Sequence, residues 1–138
     1  MPNYKKKGGL RWPDANTFAK NAYLYMLIIK TVSDMVGKYP VGTLCGSTRF
    51  KEQFLEAQKR LTLAGRIVIS VGLFGHSGDD EVWTEGTKEM LDDMHKRKID
   101  LADGIYVINV GGYIGSSTRS EIEYARAHGK TVEYLEEP

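Results

Sequence analysis

The most chemically distinctive stretch of the sequence is a loop of glycine and hydroxyl residues that runs into a carboxylate. It reads GGYIGSSTRSE, in which Gly115, Ser116 and Ser117 precede a predicted helix and Glu121 lies in its first turn. A helix N-terminus attracts anions through its free N–H groups and its dipole. A carboxylate at this point is either a helix cap or a reactive group that works beside the anion. The stretch therefore predicts an anion-binding loop with an acid next to it.

A second loop of this kind follows the first apolar run of the core. It reads LCGSTRF, in which Gly46 lets the backbone approach a ligand closely and Ser47 supplies a hydroxyl at a helix start. Arg49 adds a fixed charge that suits phosphate. The alternative interpretation is a capped helix start with a surface arginine, because Ser and Thr caps are common. If the two loops lie side by side, they hold parts of the same anion.

Short apolar runs alternate with helical periodicity after residue 40, and this alternation determines the predicted fold. Strands are predicted at 41–45, 66–71, 104–109 and 131–135, and helices at about 50–64, 84–101 and 118–128. Strands that alternate with helices pair in parallel through right-handed crossovers. We therefore predict an α/β fold, a Rossmann-like three-layer domain with a small, mainly parallel sheet of about four to five strands.

The region before residue 41 is predicted to contribute a tail and one extra helix to a single domain at 14–138. Residues 1–13 are polar and basic, which is typical of a flexible tail. Apolar residues then recur at steps of three and four, which predicts an amphipathic helix at 14–38. Its apolar surface is broad enough to predict burial on more than one side. A homodimer or larger homo-oligomer is therefore expected, with the core of the domain at 41–135.

The composition is that of a globular protein without a strong charge imbalance. The chain has 138 residues, a net charge of +1 and 41% hydrophobic residues. This balance gives no reason to expect nucleic acid or a membrane surface as a partner, so a small molecule is expected. Cys45 is the single cysteine, so no disulfide can form within the chain, and a cytoplasmic location is the expectation.

Three motifs together resemble the nucleoside 2-deoxyribosyltransferase superfamily, which includes the 2′-deoxynucleoside 5′-phosphate N-hydrolases. They are LCGSTRF, LADGIYVIN and GSSTRSEIEYARAHGK, and they occur in the order and on the elements that the family shows. The resemblance covers about residues 41–135 and implies a Rossmann-like fold without a cofactor. In the family, a glutamate in a YELGRA-like sequence attacks the anomeric carbon of the deoxyribose, and SEIEYA occupies that place here.

The resemblance assigns roles to individual residues. It implies that Glu121 is the nucleophile, that Ser47 and Arg49 belong to the phosphate-binding loop, and that Ser117 supplies the hydroxyl near the nucleophile. Cys45, Gly46, Asn109, Gly115 and Ser116 complete the predicted substrate-binding loops at the strand ends.

The sequence departs from the family at the acid that assists the leaving base. Relatives carry an aspartate eight residues before the start of the third strand, and His95 occupies that position here. Asp92 lies one turn earlier and shares a helix face with it, and a histidine can itself donate a proton. The alternative interpretation of His95 is a solvated helix residue, and Asp103 is interpreted as a structural cap at the strand start.

The loop GLFGHSGDD leaves the second strand at the same edge of the predicted sheet. Phe74 is predicted to stack on the base and His76 to hydrogen-bond to it, the alternative being an ordinary flexible loop. The spacing of His76, Asp79 and Asp80 matches no standard pattern of metal ligands, so no metal site is predicted.

These observations favour hydrolysis of the N-glycosidic bond of a nucleoside 5′-monophosphate through a glutamate nucleophile. The chain keeps the Ser/Arg loop, which favours a monophosphate as the substrate. It ends after the last strand, where the transferases carry an extension, and this favours water as the group that attacks the glycosyl-enzyme. The alternatives are a nucleoside 2-deoxyribosyltransferase, a phosphoribohydrolase of the lonely-guy type, which GGYIGSSTRSE also resembles, and a non-catalytic nucleotide sensor.

Overall fold

The computed structural model describes residues 39–81 and 83–138, together with Ala22 and Met26, which are helical. The chain divides into two compact units, Met1–Lys38 and Tyr39–Pro138, and the second unit contains the sheet. The predicted tail at 1–13 and helix at 14–38 otherwise lie outside the described residues. Within the part of the chain that the structure describes, no helix has the length and apolar character needed to cross a membrane.

Four parallel strands form one sheet. They are β1 (Val41–Gly46), β2 (Ile67–Ile69), β3 (Gly104–Ile108) and β4 (Thr131–Tyr134). The strand order is β2-β1-β3-β4, so the chain moves to one side of β1 and then returns to its other side. The predicted α/β fold is confirmed.

Three helices flank the sheet, each with boundaries close to those predicted. They are α1 (Lys51–Leu63), α2 (Thr87–Asp100) and α3 (Ser116–Ala127), with short 3-10 turns at Thr48–Phe50, Gly75–Ser77 and Val110–Gly112. Because α3 begins two residues earlier than predicted, Glu121 lies in the second helical turn, and its predicted place in the first turn is wrong. The capping interpretation of this carboxylate is therefore excluded, since caps act on the first turn.

The sheet has an apolar core on each face, and this makes the fold three-layered. On one face α1 packs through Phe54, Ala57 and Leu61. On the other face α2 contributes Ile99 and α3 contributes its own apolar side chains. Strand β3 is buried at every position, as expected of a strand covered on both faces.

Asp103 ties the start of β1 to the start of β3. Its carboxylate accepts a hydrogen bond of 2.7 Å from the backbone N–H of Val41. The Asp103 N–H in turn donates to the carbonyl oxygen of Val41 at 2.9 Å. The structural role predicted for Asp103 is thus confirmed, and it fixes the register of the two central strands.

We predict that Phe54→Ala destabilises the domain by about 3–5 kcal/mol, because it opens a cavity where the side chain is fully buried. Leu55→Ala, one residue along the same helix, is the matched control because Leu55 is 47% exposed. Leu55→Ala should lower the free energy of unfolding by less than about 1 kcal/mol. Urea unfolding measures the free energy of unfolding of both variants, and equal decreases would contradict this packing of α1.

Candidate active site

The strand order reverses between β1 and β3, and the loops that leave these two strands lie at the same edge of the sheet. Ligands of open parallel sheets bind at such a reversal, beyond the carboxyl ends of the strands. A cavity of about 420 Å³ lies here and is lined by residues of both loops. Gly46 permits this close approach, since a Cβ atom there would lie 2.8 Å from the carbonyl oxygen of Ile108.

Arg49 bridges the two loops at the cavity wall. Its Nε donates to the Ser47 hydroxyl at 3.0 Å, and its Nη2 donates to the Tyr113 hydroxyl at 3.1 Å. The guanidinium also lies over the ring of Tyr113, at 4.3 Å from its centroid. These contacts hold a permanent positive charge at the cavity wall, and the binding of phosphate by Arg49 stays a prediction.

The start of α3 forms the facing part of the wall. Gly115, Ser116 and Ser117 line the cavity, as predicted. Gly115 is the N-cap residue and makes no side-chain cap hydrogen bond, so no capping side chain competes for the first N–H groups of the helix. An uncapped helix N-terminus with adjacent hydroxyl groups is a binding site for anions.

Glu121 lies one turn further along α3 and also lines the cavity. Its side chain is only 16% exposed, and its Oε2 lies 3.7 Å from Nε2 of His95. Burial raises the pKa of Glu121 to about 7, and the negative charge of Asp92 acts in the same direction. The structure therefore places one largely desolvated carboxyl group against the space that a ligand would fill.

His95 is buried, and the interpretation of this residue as a solvated helix position is wrong. Its side chain is 10% exposed, although charged residues follow it in the sequence. Burial lowers the pKa of His95 to about 4, and the positive charge of Lys98 adds to this effect. The imidazole is consequently neutral near neutral pH and contacts Glu121 without a full ionic bond.

Cys45 lies beneath the cavity and is fully buried. Its Sγ is 3.3 Å from Nε2 of His95. Burial raises the pKa of this thiol, and the charge of Glu121 raises it further. Cys45 does not line the cavity, because side chains of α2 and α3 cover it on this face of the sheet, so the structure gives no support to its predicted contact with substrate.

Two other residues that were predicted to contact substrate also lie outside the cavity lining. Phe74 is partly buried and packs against the core, where its ring lies edge-on to Phe54 with 5.5 Å between centroids. Asn109 is buried and uses its amide on the chain end, donating to the carbonyl oxygen of Glu136 at 2.8 Å and accepting from the N–H of Glu136 at 2.9 Å. Both side chains hold the loops in place and neither lines the cavity.

The structure keeps the predicted residues Asp92 and His76 in the cavity wall. Asp92 is half-exposed and pairs with Lys88 at 2.6 Å.

Asp79, beyond His76, pairs with Lys51 at 2.9 Å. This ion pair fastens the loop after β2 to α1.

Several residues of the cavity wall were not predicted from the sequence. They are Glu81, Trp83, Lys88, Met94, Lys98 and Thr118, among others. Lys98 holds the end of β2, since its Nζ donates to the carbonyl oxygens of Ser70 at 2.9 Å and Val71 at 3.3 Å. Thr118 follows Ser117 by one position, so the hydroxyl-rich loop itself was a signal for it. Glu81 and Trp83 carry no such signal, because they depend on the path of a long loop.

A scan against protein-family models found no match for this chain. Searches of curated proteins and of solved structures also found no match. The family resemblance of the three motifs therefore stays a prediction.

Proposed function

We propose that the protein hydrolyses the N-glycosidic bond of a nucleoside 5′-monophosphate, with Glu121 as the nucleophile. The observation that carries this proposal is a largely buried carboxyl group, 16% exposed, in a cavity that also contains an uncapped helix N-terminus and an arginine. The resemblance of the surrounding motifs to deoxyribosyltransferases and nucleotide N-hydrolases supports the same reaction.

The phosphate group is the part of the substrate that the two loops suit best. The start of α3 offers backbone N–H groups and the hydroxyls of Ser116 and Ser117, and Arg49 offers a planar charged donor. Phosphate accepts bonds from such donors on several oxygens at once. A cavity of about 420 Å³ falls within the range of sites for small organic ligands, about 300–1,000 Å³.

The carboxylate of Glu121 suits attack on the sugar. In its ionised form, one Oε forms a bond to C1′ while the C1′–N bond breaks, and the departing base keeps the electron pair and takes up a proton. Water then attacks C1′, which yields a sugar 5-phosphate and restores the carboxylate. Carbon C1′ gains positive charge in both steps, and a carboxylate in a poorly solvated site stabilises that charge strongly.

His95 and Asp92 lie beside Glu121 on the helix that forms the neighbouring wall. We assign His95 to orienting the Glu121 carboxyl group, because its Nε2 is 3.7 Å from Oε2 and the ring is held by burial. Asp92 is the half-exposed acid of the wall and stays the candidate that assists the departing base. Both side chains border the cavity, but Asp92 is 50% exposed and His95 only 10%, so Asp92 is the more accessible to a departing base.

Replacing Glu121 with Gln should lower the rate of base release by about 10³-fold or more, because the amide cannot form the covalent intermediate. Binding of the monophosphate should survive. Chromatography of released base from a panel of deoxynucleoside and ribonucleoside monophosphates measures turnover, and calorimetry measures binding.

Glu123→Gln is the matched control, since Glu123 lies on the exposed side of the same helix. Turnover by Glu121→Gln near that of the wild type would contradict the nucleophilic role. Exchange of one base for another, in place of free sugar phosphate, would identify a transferase. Binding without turnover by the wild type would identify a nucleotide sensor.

Arg49→Ala should weaken binding of a nucleoside monophosphate by about 1.5–3 kcal/mol, or about 10- to 150-fold, as expected for a hydrogen bond to a charged group. The corresponding nucleoside without phosphate should bind almost unchanged. Calorimetry in a Glu121→Gln background separates binding from hydrolysis.

The control is Arg119→Ala, which removes an exposed arginine of α3 that does not line the cavity. It should leave both affinities unaltered. Equal losses for nucleotide and nucleoside in Arg49→Ala would show that Arg49 does not contact the phosphate.

A further inference from the structure

Three side chains of different chemistry converge at the base of the cavity. Cys45 comes from β1, His95 from α2 and Glu121 from α3, and the ligand-type atoms of all three lie within 4.8 Å of one another. Sγ of Cys45 is 3.3 Å from Nε2 of His95, and that Nε2 is 3.7 Å from Oε2 of Glu121. Thiol, imidazole and carboxylate are the three side-chain groups that bind zinc in proteins.

Two of the three separations between these atoms are close to those of tetrahedral zinc coordination. Zinc bonds of about 2.3 Å to sulfur and about 2.0–2.2 Å to nitrogen and oxygen place neighbouring ligand atoms about 3.4–3.6 Å apart. The sulfur–nitrogen separation of 3.3 Å and the nitrogen–oxygen separation of 3.7 Å each lie within about 0.3 Å of the tetrahedral values, and the sulfur and carboxylate oxygen lie within 4.8 Å of each other. All three residues are carried by regular elements of the sheet and its helices, so the arrangement is held by the fold.

Charge balance also favours a divalent cation at this point. A thiolate and a carboxylate together carry two negative charges, which a divalent cation cancels without leaving net charge in the interior. His95 and Glu121 border the cavity, whereas Cys45 lies beneath it. Three protein ligands and one position open to a cavity form a typical accessible zinc site.

We propose that Cys45, His95 and Glu121 bind Zn²⁺, and that the bound ion blocks the active site by occupying the Glu121 carboxylate. On binding, the Cys45 thiol releases its proton to solvent and its sulfur coordinates the metal. The Glu121 oxygen that would attack C1′ then donates its lone pair to zinc. A thiolate and an imidazole select zinc over Mg²⁺ and Ca²⁺, which prefer oxygen ligands. The proposed metal binding does not depend on the proposed function. The proposed inhibition does, because it requires that Glu121 act as the nucleophile.

Cobalt(II) titration of the tag-free wild-type protein tests the metal site directly. Cys45 is the single cysteine of the chain, so a thiolate-to-cobalt charge-transfer band in the near ultraviolet can arise from this site alone. We expect the band to saturate at one equivalent of Co²⁺ and to disappear when Zn²⁺ displaces the cobalt. A phosphine reductant keeps the thiol reduced without binding the metal as dithiols do. Absence of the band would overturn the proposal, even if cobalt binds elsewhere.

Variants assign the other two ligands. Cys45→Ser should abolish the band, and Glu121→Gln and His95→Gln should weaken cobalt binding by at least about tenfold, since even outer hydrogen-bond partners of metal ligands contribute about 10- to 100-fold. His76→Asn is the matched control, because His76 lies in the cavity wall away from this cluster. Unchanged affinity in Glu121→Gln would overturn its role as a ligand. The wild-type spectrum remains decisive if a variant fails to fold.

Zinc inhibition is tested separately. Base release by metal-free protein should fall on addition of one equivalent of Zn²⁺ and should recover with EDTA. A cobalt band without inhibition of an active enzyme would overturn the blocking role. A band from a protein that hydrolyses no nucleotide would leave the metal site standing and refute the proposed hydrolysis.

Discussion

The direct pairing of β1 with β3 is the constraint on which the rest of this structure depends. Their registers match from Gly42 with Gly104 to Gly46 with Ile108, so both strands deliver their loops to one point. Because a Cβ on Gly46 would lie 2.8 Å from the Ile108 carbonyl oxygen, the end of β1 tolerates only glycine without rearrangement. Arg49 and the start of α3 face a common cavity only because these two strand ends meet.

The same packing that builds the core also desolvates the reactive groups. On α3, the buried face carries Thr118, Ile122 and Ala125, and Glu121 lies at its border with the cavity. Burial raises the pKa of Glu121 to about 7 and lowers the pKa of His95 to about 4, so each is shifted towards its neutral form. Polar groups in an apolar layer destabilise the fold unless they are paired, and groups with such shifted pKa values are candidates for a functional site. The proposed nucleophilic catalysis and the proposed zinc binding would use the same desolvated cluster, so the two would exclude each other in time.

Much of the fold could be predicted because its information is local. Apolar runs and helical spacing located the four strands and three α-helices of residues 39–138, and the glycine and hydroxyl loops located Arg49 and Glu121. The direction of a side chain in an irregular segment is decided by tertiary packing, which a local sequence pattern does not show. For this reason Phe74 and Asn109 were assigned to the substrate site although they lie outside the cavity lining. His95 is buried although Lys96, Arg97 and Lys98 follow it, because a helix turns about 100° per residue and presents neighbours to different surroundings. Glu81 and Trp83 reach the cavity through a long loop whose path has no periodic signature.

Mass spectrometry of the protein during incubation with a substrate is the most direct test of the proposed covalent role of Glu121. A 2′-fluorinated nucleoside monophosphate is the suitable substrate, because the fluorine destabilises positive charge at C1′ and slows release of the sugar from the enzyme. After acid quenching, trypsin cleavage behind Arg119 and Arg126 gives the peptide SEIEYAR, which contains Glu121 and the exposed Glu123. We expect a peptide heavier by the mass of one fluorinated sugar phosphate less one water, with fragmentation placing the added mass on Glu121. An unmodified peptide during active hydrolysis, or a modification on another residue, would contradict it.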